Sequence, residues 1–460
     1  VSLGSSLSIA VQAMLTDQGA LAVTSNNIAN VNTPGYTREV ANLEEAPPVR
    51  FGNQSYGGGV ELSGIQSIRD NILQLRLNQE TQTQGKLNTF TNGMNQIQTV
   101  FNEDAGTGLQ SLLSNFFNSF QTLASDPTNS GDRQAIIGAA QSLASGFNQT
   151  ATTLVQQQQN ADQGVVQTVQ QINQITAQIA NLNGEISTTA GAGLNTNSFE
   201  DQRDQLITQL SGLIDVQTIP ANGNTVNLTT NNGAQLVVGN QSFNLQTGAN
   251  STTSFQDVYA EGTDITASIQ SGTLAGDLQL RDQEIPQIQN NLDTLAYNLE
   301  NSVNTQNAAG YDLNGSAGGS IFAAPASVTG AALNMSVSIT DPNLIAASGD
   351  GTAGSNTNAT ALANLQSQNI VSGQNPIAYY SGIVSQIGND TETASSQLTG
   401  GNLLVQQLND QIGAASGVSL DEEGANLILY QNAYTAASRV ASIVQSLYQT
   451  AIAMVGTTTG

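Results

Sequence analysis

Apolar positions along the chain fall into a few long periodic runs. The clearest lies near the C-terminus. Leu427, Tyr430, Tyr434, Ala437, Ala441, Val444, Tyr448, Ala451 and Val455 follow one another in alternating steps of three and four. That alternation keeps them on one stripe of an α-helix and marks a coiled-coil seam. Near the N-terminus, Leu7, Ala10, Met14, Leu21, Ile28 and Val31 approach the same spacing, with Asp17 and Thr24 interrupting it. Each end therefore reads as a single helix with one sticky stripe and no local partner. The stripes pair with each other, with further copies of the chain, or both.

More long helices are predicted between the ends. Residues 62–102 carry Ile65, Ile68, Ile72 and Leu75, then Leu87, Phe90, Met94, Ile97 and Phe101, with a polar gap between the two sets. Residues 132–186 end on Val165, Val169, Ile172, Ile175, Ile179, Leu182 and Ile186. Residues 282–304 and 376–412 repeat the pattern. A shorter helix at 199–213 follows Ser198, which forms a capping box with Asp201.

After Ile214 the period changes to two. The segment 225–247 alternates, with Asn232-Gly233 and Gly239-Asn240 where hairpin turns belong, and predicts a three-stranded meander. The strand-like stretch continues to about 281, residues 306–357 read as loops and short strands, and "GDGTAGSNTN" (349–358) as a flexible loop. The expected fold class is mainly α with an inserted β region. The terminal helices pair as a coiled coil, a long antiparallel helical bundle follows, and a small β domain is inserted. In residues, 1–32 with 421–460 form the terminal coiled coil, and 33–213 with 346–420 form the bundle. The β-rich outer domain takes 214–345, with helix 282–304 either there or in the bundle.

Composition sharpens this picture. Only 9% of the 460 residues are charged, against roughly 25% in ordinary globular proteins. Aromatics are 5%, which points to a core of Leu, Ile, Val and Ala. The net charge of −25 favours solubility and makes nucleic acid and anionic membranes poor partners. No stretch reaches the ~20 apolar residues of a membrane span. The first residues lack the basic and apolar regions of a secretory signal peptide, so export, if it occurs, takes another route.

Candidate chemistry is sparse. The chain has no His and no Cys, which removes the commonest general base, thiol nucleophile and metal ligands. Lys86 falls in the polar middle of a helix, and Asp421-Glu422-Glu423 suits the positive end of a helix dipole. No enzyme activity, cofactor or metal is expected.

The stretch "SNNIANVNTPGYTR" (25–38) ends the first helix. Asn26, Asn27, Asn30 and Asn32 compete for backbone hydrogen bonds. Pro34 disfavours helix at Thr33, and Pro34-Gly35 fits the centre of a type II turn, followed by Tyr36.

These words carry a resemblance. "NNIANVNTPGYTR" is similar to the N-terminal signature of the bacterial flagellar axial proteins of rod, hook and hook–filament junction. "SGVSLDEEGANLILYQNAYTAASRVASIVQSLYQTAI" (416–452) resembles their C-terminal motif. The Leu-Asp-Glu-Glu run at 420–423, "FEDQRDQLITQLSGLIDV" (199–216) and the segment 276–315 resemble the junction members. The resemblance implies a structural subunit exported unfolded by the flagellar type III apparatus, with an uncleaved export signal, residing outside the cell at the hook–filament junction. Implied partners are further copies in a ring or helical array, hook protein, the second junction protein and an export chaperone. The expected assembly interface is Leu7, Met14, Leu21 and Ile28 with the C-terminal seam. The β insertion is short for the family. A hook or rod protein, or a secreted filament or adhesin on the same helical plan, is the alternative.

Overall fold

A computed structural model describes residues 3–51, 54–102 and 108–456. In chain order, helix α1 (Leu3–Asn30) leads to strands β1 (Glu39–Glu45), β2 (Val49–Phe51), β3 (Gln54–Tyr56) and β4 (Val60–Ser67). Helices α2 (Asn71–Val100), α3 (Leu109–Ser125), α4 (Ser130–Gly191) and α5 (Asn197–Leu213) follow. Next come β5 (Gln217–Pro220), β6 (Val226–Thr229), β7 (Gln235–Val238) and β8 (Gln241–Ser242), then β9 (Leu245–Ala249), β10 (Gln256–Ala260) and β11 (Thr263–Asp264). The chain closes with α6 (Gly272–Gln279), α7 (Ile285–Ala308), α8 (Ala331–Asn334), α9 (Thr357–Asn364), α10 (Pro376–Ser416) and α11 (Leu420–Gly456). The fold is mainly helical, with packed terminal helices and a small inserted sheet region.

The described residues gather into two compact units. One draws on 1–82, 172–244 and 402–460, the other on 83–171 and 245–401. In the first, α1 packs against α11 and against the antiparallel pair β1–β4. That pair is absent from the sequence reading, which runs a helix from 62. Ile65 lies in β4, Ile68 follows it, and the helix begins at Asn71. Steps of three and four from Ile65 to Leu75 imitate a seam, but Ile72 and Leu75 remain exposed. The real signal is the alternation of Val60 and Leu62, which face α1: a Cβ on Gly19 would collide with Leu62, and Thr16 donates to the Val60 carbonyl at 3.1 Å.

A further sheet of this unit has four strands in the order β5-β6-β7-β8, one more than the expected meander. Its turns use Gly233 and Gly239 with positive φ, as the Asn-Gly and Gly-Asn words require. Asn183 of α4, fully buried, anchors the sheet: it donates to the carbonyls of Val226 and Gly239 at 2.7 and 2.8 Å. Helix α5 starts at Asn197 after Thr196, so Ser198 sits inside the helix and no Ser198–Asp201 capping box forms. Thr196 donates instead to Glu200 at 2.6 Å, and Asp201 is engaged elsewhere.

The second unit has the mainly aliphatic core expected from composition, and within it lies a local cluster of phenylalanines. Phe116, Phe117 and Phe120 of α3 are fully buried with Phe147 of α4 and Phe322. The Phe116 ring lies 5.3 Å from Phe120, edge to face, and 5.5 Å from Phe322. Helix α3 itself is an element the sequence reading leaves out. Residues 272–279, read as strand, form α6, since the β9-β10-β11 sheet ends at Asp264. Loops between α7 and α10 are pinned by buried amides: Asn307 donates to the Gly319 carbonyl and accepts from Ala346 N. Residues 349–358 fold into a turn held by Asp350, which accepts from Thr352 N at 2.9 Å, and lead into α9.

Candidate assembly site

The asparagine-rich motif builds the root of the terminal helices. Helix α1 stops at Asn30, and Thr33–Tyr36 makes a turn closed by Tyr36 N donating to the Thr33 carbonyl at 3.2 Å. Gly35 stands at φ +74°, as the third position of a type II turn requires. Asn27, 1% exposed, acts as an added strand neighbour for Glu39. Its amide donates to the Glu39 carbonyl at 2.8 Å and accepts from Glu39 N at 2.9 Å. The same oxygen accepts from the Tyr36 hydroxyl at 2.8 Å. Asn26 donates to Tyr36 and Glu39, and Asn30 donates back to Asn26 at 2.9 Å and accepts from Thr33. Asn32 and Pro34 are exposed in the turn. The asparagines thus do more than end a helix: they fold the chain back onto it.

Arginines extend this root. Thr37 donates to Asp201 through its amide at 3.0 Å and its hydroxyl at 2.7 Å. Arg69 pairs with Glu200 and, at 2.7 Å, with Asp201. Burial opposes the charge of Arg69, but Asp204, Asp201 and Glu200 outweigh it and hold the guanidinium protonated more firmly than usual. Burial likewise works against Glu200, yet the Thr196 hydroxyl and Arg69 keep its carboxyl below the ordinary range. Burial, then the carboxylates of Glu39, Asp201 and Glu423, push the Tyr36 phenol well up, so it remains a hydrogen-bond donor. Arg38 reaches the first turn of α11, at 2.7 Å from Glu423 and 2.6 Å from Glu422. Sequence reasoning gave those acids to the helix dipole and left out Arg38, Arg69 and Glu200. Arg38 and Glu200 stand inside the "YTR" and "FEDQRDQ" words, but Arg69 lies outside every motif, and only the fold brings the charges together.

Above the root, the predicted interface residues occupy the inner faces of the helix pair. Leu7, Met14, Leu21 and Ile28 are half-buried on α1. Leu427, Tyr430, Tyr434, Ala437 and Ala441 are half-buried on α11, Val444 is buried, and Tyr448 and Ala451 are exposed. The side chain of Val455 lies outside the described residues. Asp17 and Thr24, which interrupt the α1 stripe in sequence, are buried, so the packed face of α1 is broader than its apolar stripe.

A second set of positions faces solvent. On α1 it is Ser8, Val11, Leu15, Gln18, Ala22, Ser25 and Ala29, again in steps of three and four. On α11 it includes Leu429, Ala436, Val440, Ile443, Leu447 and Met454. Ile443 is 59% exposed and Met454 64%. Asp17 and Arg439 are the only charged residues within 3–30 and 424–456, in a chain of net charge −25. Among the described residues no cluster of His, Cys, Asp or Glu is arranged to hold a metal ion, and no helix is long and apolar enough to cross a membrane.

Both ends of the chain match models of flagellar axial proteins. Residues 7–37 match the flagella basal body rod protein, and 414–454 match the C-terminal region of the flagellar basal body rod FlgEFG protein. Paired terminal helices rooted in the asparagine motif thus define a flagellar axial protein. Residues 94–322 match the helical domain of flagellar hook-associated protein FlgK. Flagellar hook-associated protein 1 of Escherichia coli (strain K12) is 31% identical, over 95% of this chain and 97% of that one. Its counterpart in Bacillus subtilis (strain 168) is 29% identical, over 96% of each. The chain belongs to the flagellar hook-associated protein 1 family, exported structural components of the hook–filament junction. The flagellar hook junction protein FlgK from Burkholderia pseudomallei shares the fold, with a TM-score of 0.66 at 20% identity, over 73% of this chain and 99% of that one.

Proposed function

We propose that the chain joins hook to filament by assembling with further copies of itself into a ring or helical array on the hook tip. The outward stripes of α1 and α11 make the contacts between copies. The inward residues, from Leu7 to Ile28 and from Leu427 to Val444, build the pair that carries those stripes. Residues 1–32 with 421–460 then act as the assembly module. One observation carries this reading: the apolar outer stripe of α11 is uncovered, and above its root the helix pair carries no charge but Asp17 and Arg439. Copies with net charge −25 repel one another over most of their surface. They approach most easily where charge is missing. The outer stripe of α1 is mostly small, that of α11 large, so one fits the other rather than itself. Such a contact is heterologous and propagates into a ring or helix.

Hook protein on one side and the second junction protein on the other extend the same stacking. Before export, a chaperone covers the outer stripe of α11, because an exposed apolar stripe of this length invites aggregation. Val440→Asp with Ile443→Asp tests the reading. The purified variant is expected to keep its helical circular dichroism, lose chaperone capture in pull-downs, and leave cells with hooks that shed flagellin into the medium. Normal filaments on such cells would remove the outer stripe of α11 from the interface.

A further inference from the structure

Four segments of the chain meet at Arg38. Its backbone N–H donates to the carbonyl of Ser416, the last residue of α10, at 2.9 Å. Its carbonyl accepts from Ile68 N, just beyond β4, at 2.9 Å. Its guanidinium takes Glu423 through Nε and Glu422 through Nη1, on the first turn of α11. Glu423 is 2% exposed, whereas Glu422 is exposed, so the inner of the two contacts is the one water cannot replace. The connector from α10 to α11 is short, residues 417–419. Gly417 leaves no room for a side chain there: a Cβ would lie 2.2 Å from the Gly413 carbonyl. Ser419 immediately precedes α11, its carbonyl accepting from Glu423 N at 2.9 Å.

We propose that Arg38 is a positioning residue that sets how α11 leaves its root and so aligns the outer stripes of α1 and α11 with each other. Two helices that share one apolar seam can slide or rotate by small steps, because an Ala-rich seam penalises a shift weakly. A fixed point at the base removes that freedom. The planar fork of an arginine suits the role, since it fixes direction as well as distance to two carboxylates. The backbone bonds of residue 38 to Ser416 and Ile68 give the fork a rigid mount. Alignment of α1 with α11 then comes from a polar clamp at the root, and the seam above it supplies the contact area.

The native chain has no cysteine, which makes the test clean. Spin labels on Gln18→Cys of α1 and Gln445→Cys of α11, both exposed positions, report the geometry of the pair by electron paramagnetic resonance in the monomer. The unaltered root is expected to give one narrow distance distribution. Arg38→Gln should broaden or displace it while helical circular dichroism and the melting of the Phe116 core stay unchanged. Arg38→Lys, which keeps charge without the fork, should fall between. Arg38→Glu with Glu423→Arg should restore the narrow distribution, a rescue that a merely space-filling role would not give. Gly417→Ala should broaden the distribution with Arg38 intact. If Arg38→Gln loosens the whole unit, Arg38→Lys carries the comparison. In cells, Arg38→Gln is expected to impair filament retention and the charge swap to recover it. Only this cellular arm rests on the self-assembly reading. An unchanged distance distribution in Arg38→Gln, or a charge swap as broad as the single variant, overturns the clamp whatever happens to assembly.

Discussion

The core around Phe116 and the α1–α11 pair are both helix packings, and they end in opposite states. Around Phe116, helices α3, α4 and α7 bury Phe120, Leu143, Phe147, Leu295 and Leu299 with no measurable exposure. Every apolar face there has a partner inside the chain. On α11, by contrast, Val444 is buried while its neighbours Ile443 and Leu447 face solvent. The first region is finished by folding; the second is half-finished and requires another surface. Stability and assembly are therefore separable by mutation, as the following predictions test.

The largest effect belongs to the finished core. Phe116→Ala removes a ring that touches three other phenylalanines and should cost ~3–5 kcal/mol. At about 2–4 °C per kcal/mol for a unit of this size, calorimetry should show a drop near ~10 °C for that transition. A drop no larger than that of a surface variant would mean the phenylalanine cluster is not the core it resembles.

The same unit contains acids whose burial outweighs any compensating charge. Burial pushes Glu300 up to about 8, and burial, partly offset by Arg281, pushes Asp277 up to about 7. Both values lie above those of the unfolded chain, so folding takes up protons. Their contribution to stability is complete below about pH 4 and is lost as pH rises through 7 and 8. Melting is expected to be higher at pH 5 than at pH 8.5. Glu300→Gln should recover on the order of a few kcal/mol at pH 8.5 and almost nothing at pH 5, which separates this buried carboxyl from relief of the overall negative charge. An equal shift at both pH values would count against it.

At the root, Asn27→Ala strips three hydrogen bonds and leaves both backbone groups of Glu39 without that partner. A loss of about 1–3 kcal/mol is expected, visible as faster hydrogen exchange at Glu39 and Val40. Asn27→Asp sharpens the comparison, because a carboxylate accepts from Glu39 N but cannot donate to its carbonyl. Protection unchanged in both variants would mean that the asparagine does not hold β1.

The smallest effect on the monomer belongs to the unfinished face. Ile443→Ser should change denaturant stability by no more than ~0.5 kcal/mol, yet weaken polymerisation seen by light scattering. A destabilised monomer would show that Ile443 already has an intramolecular partner.

Much of this was legible in residue order, though unevenly. The two terminal helices follow from three-four spacing, and the turn at Pro34-Gly35 follows from backbone sterics. The hairpin turns at Gly233 and Gly239 follow from residues that accept positive φ. The pair β1–β4 escaped because Ile65, Ile68, Ile72 and Leu75 keep a helical period across the end of β4 and the start of α2, which masks the short alternation of Val60 and Leu62. Helix α6 escaped because short apolar runs do not distinguish helix from strand. The paired acids at 422 and 423 looked complete as helix-dipole partners, so nothing local called for Arg38.

By itself the sequence determined angular position: which side chains share a stripe of each helix, and where the backbone must turn. Those are local consequences of helical pitch, strand alternation and φ preference. Only the tertiary structure decided which stripe faces inward, that Asp17 and Thr24 belong to the packed side, and that Arg38 closes on a carboxylate 385 residues away. It also decided that Glu300 and Asp277 are sealed from water. The physical reason is that burial and pairing depend on what crosses a residue in space, and periodicity along one segment carries no record of that crossing.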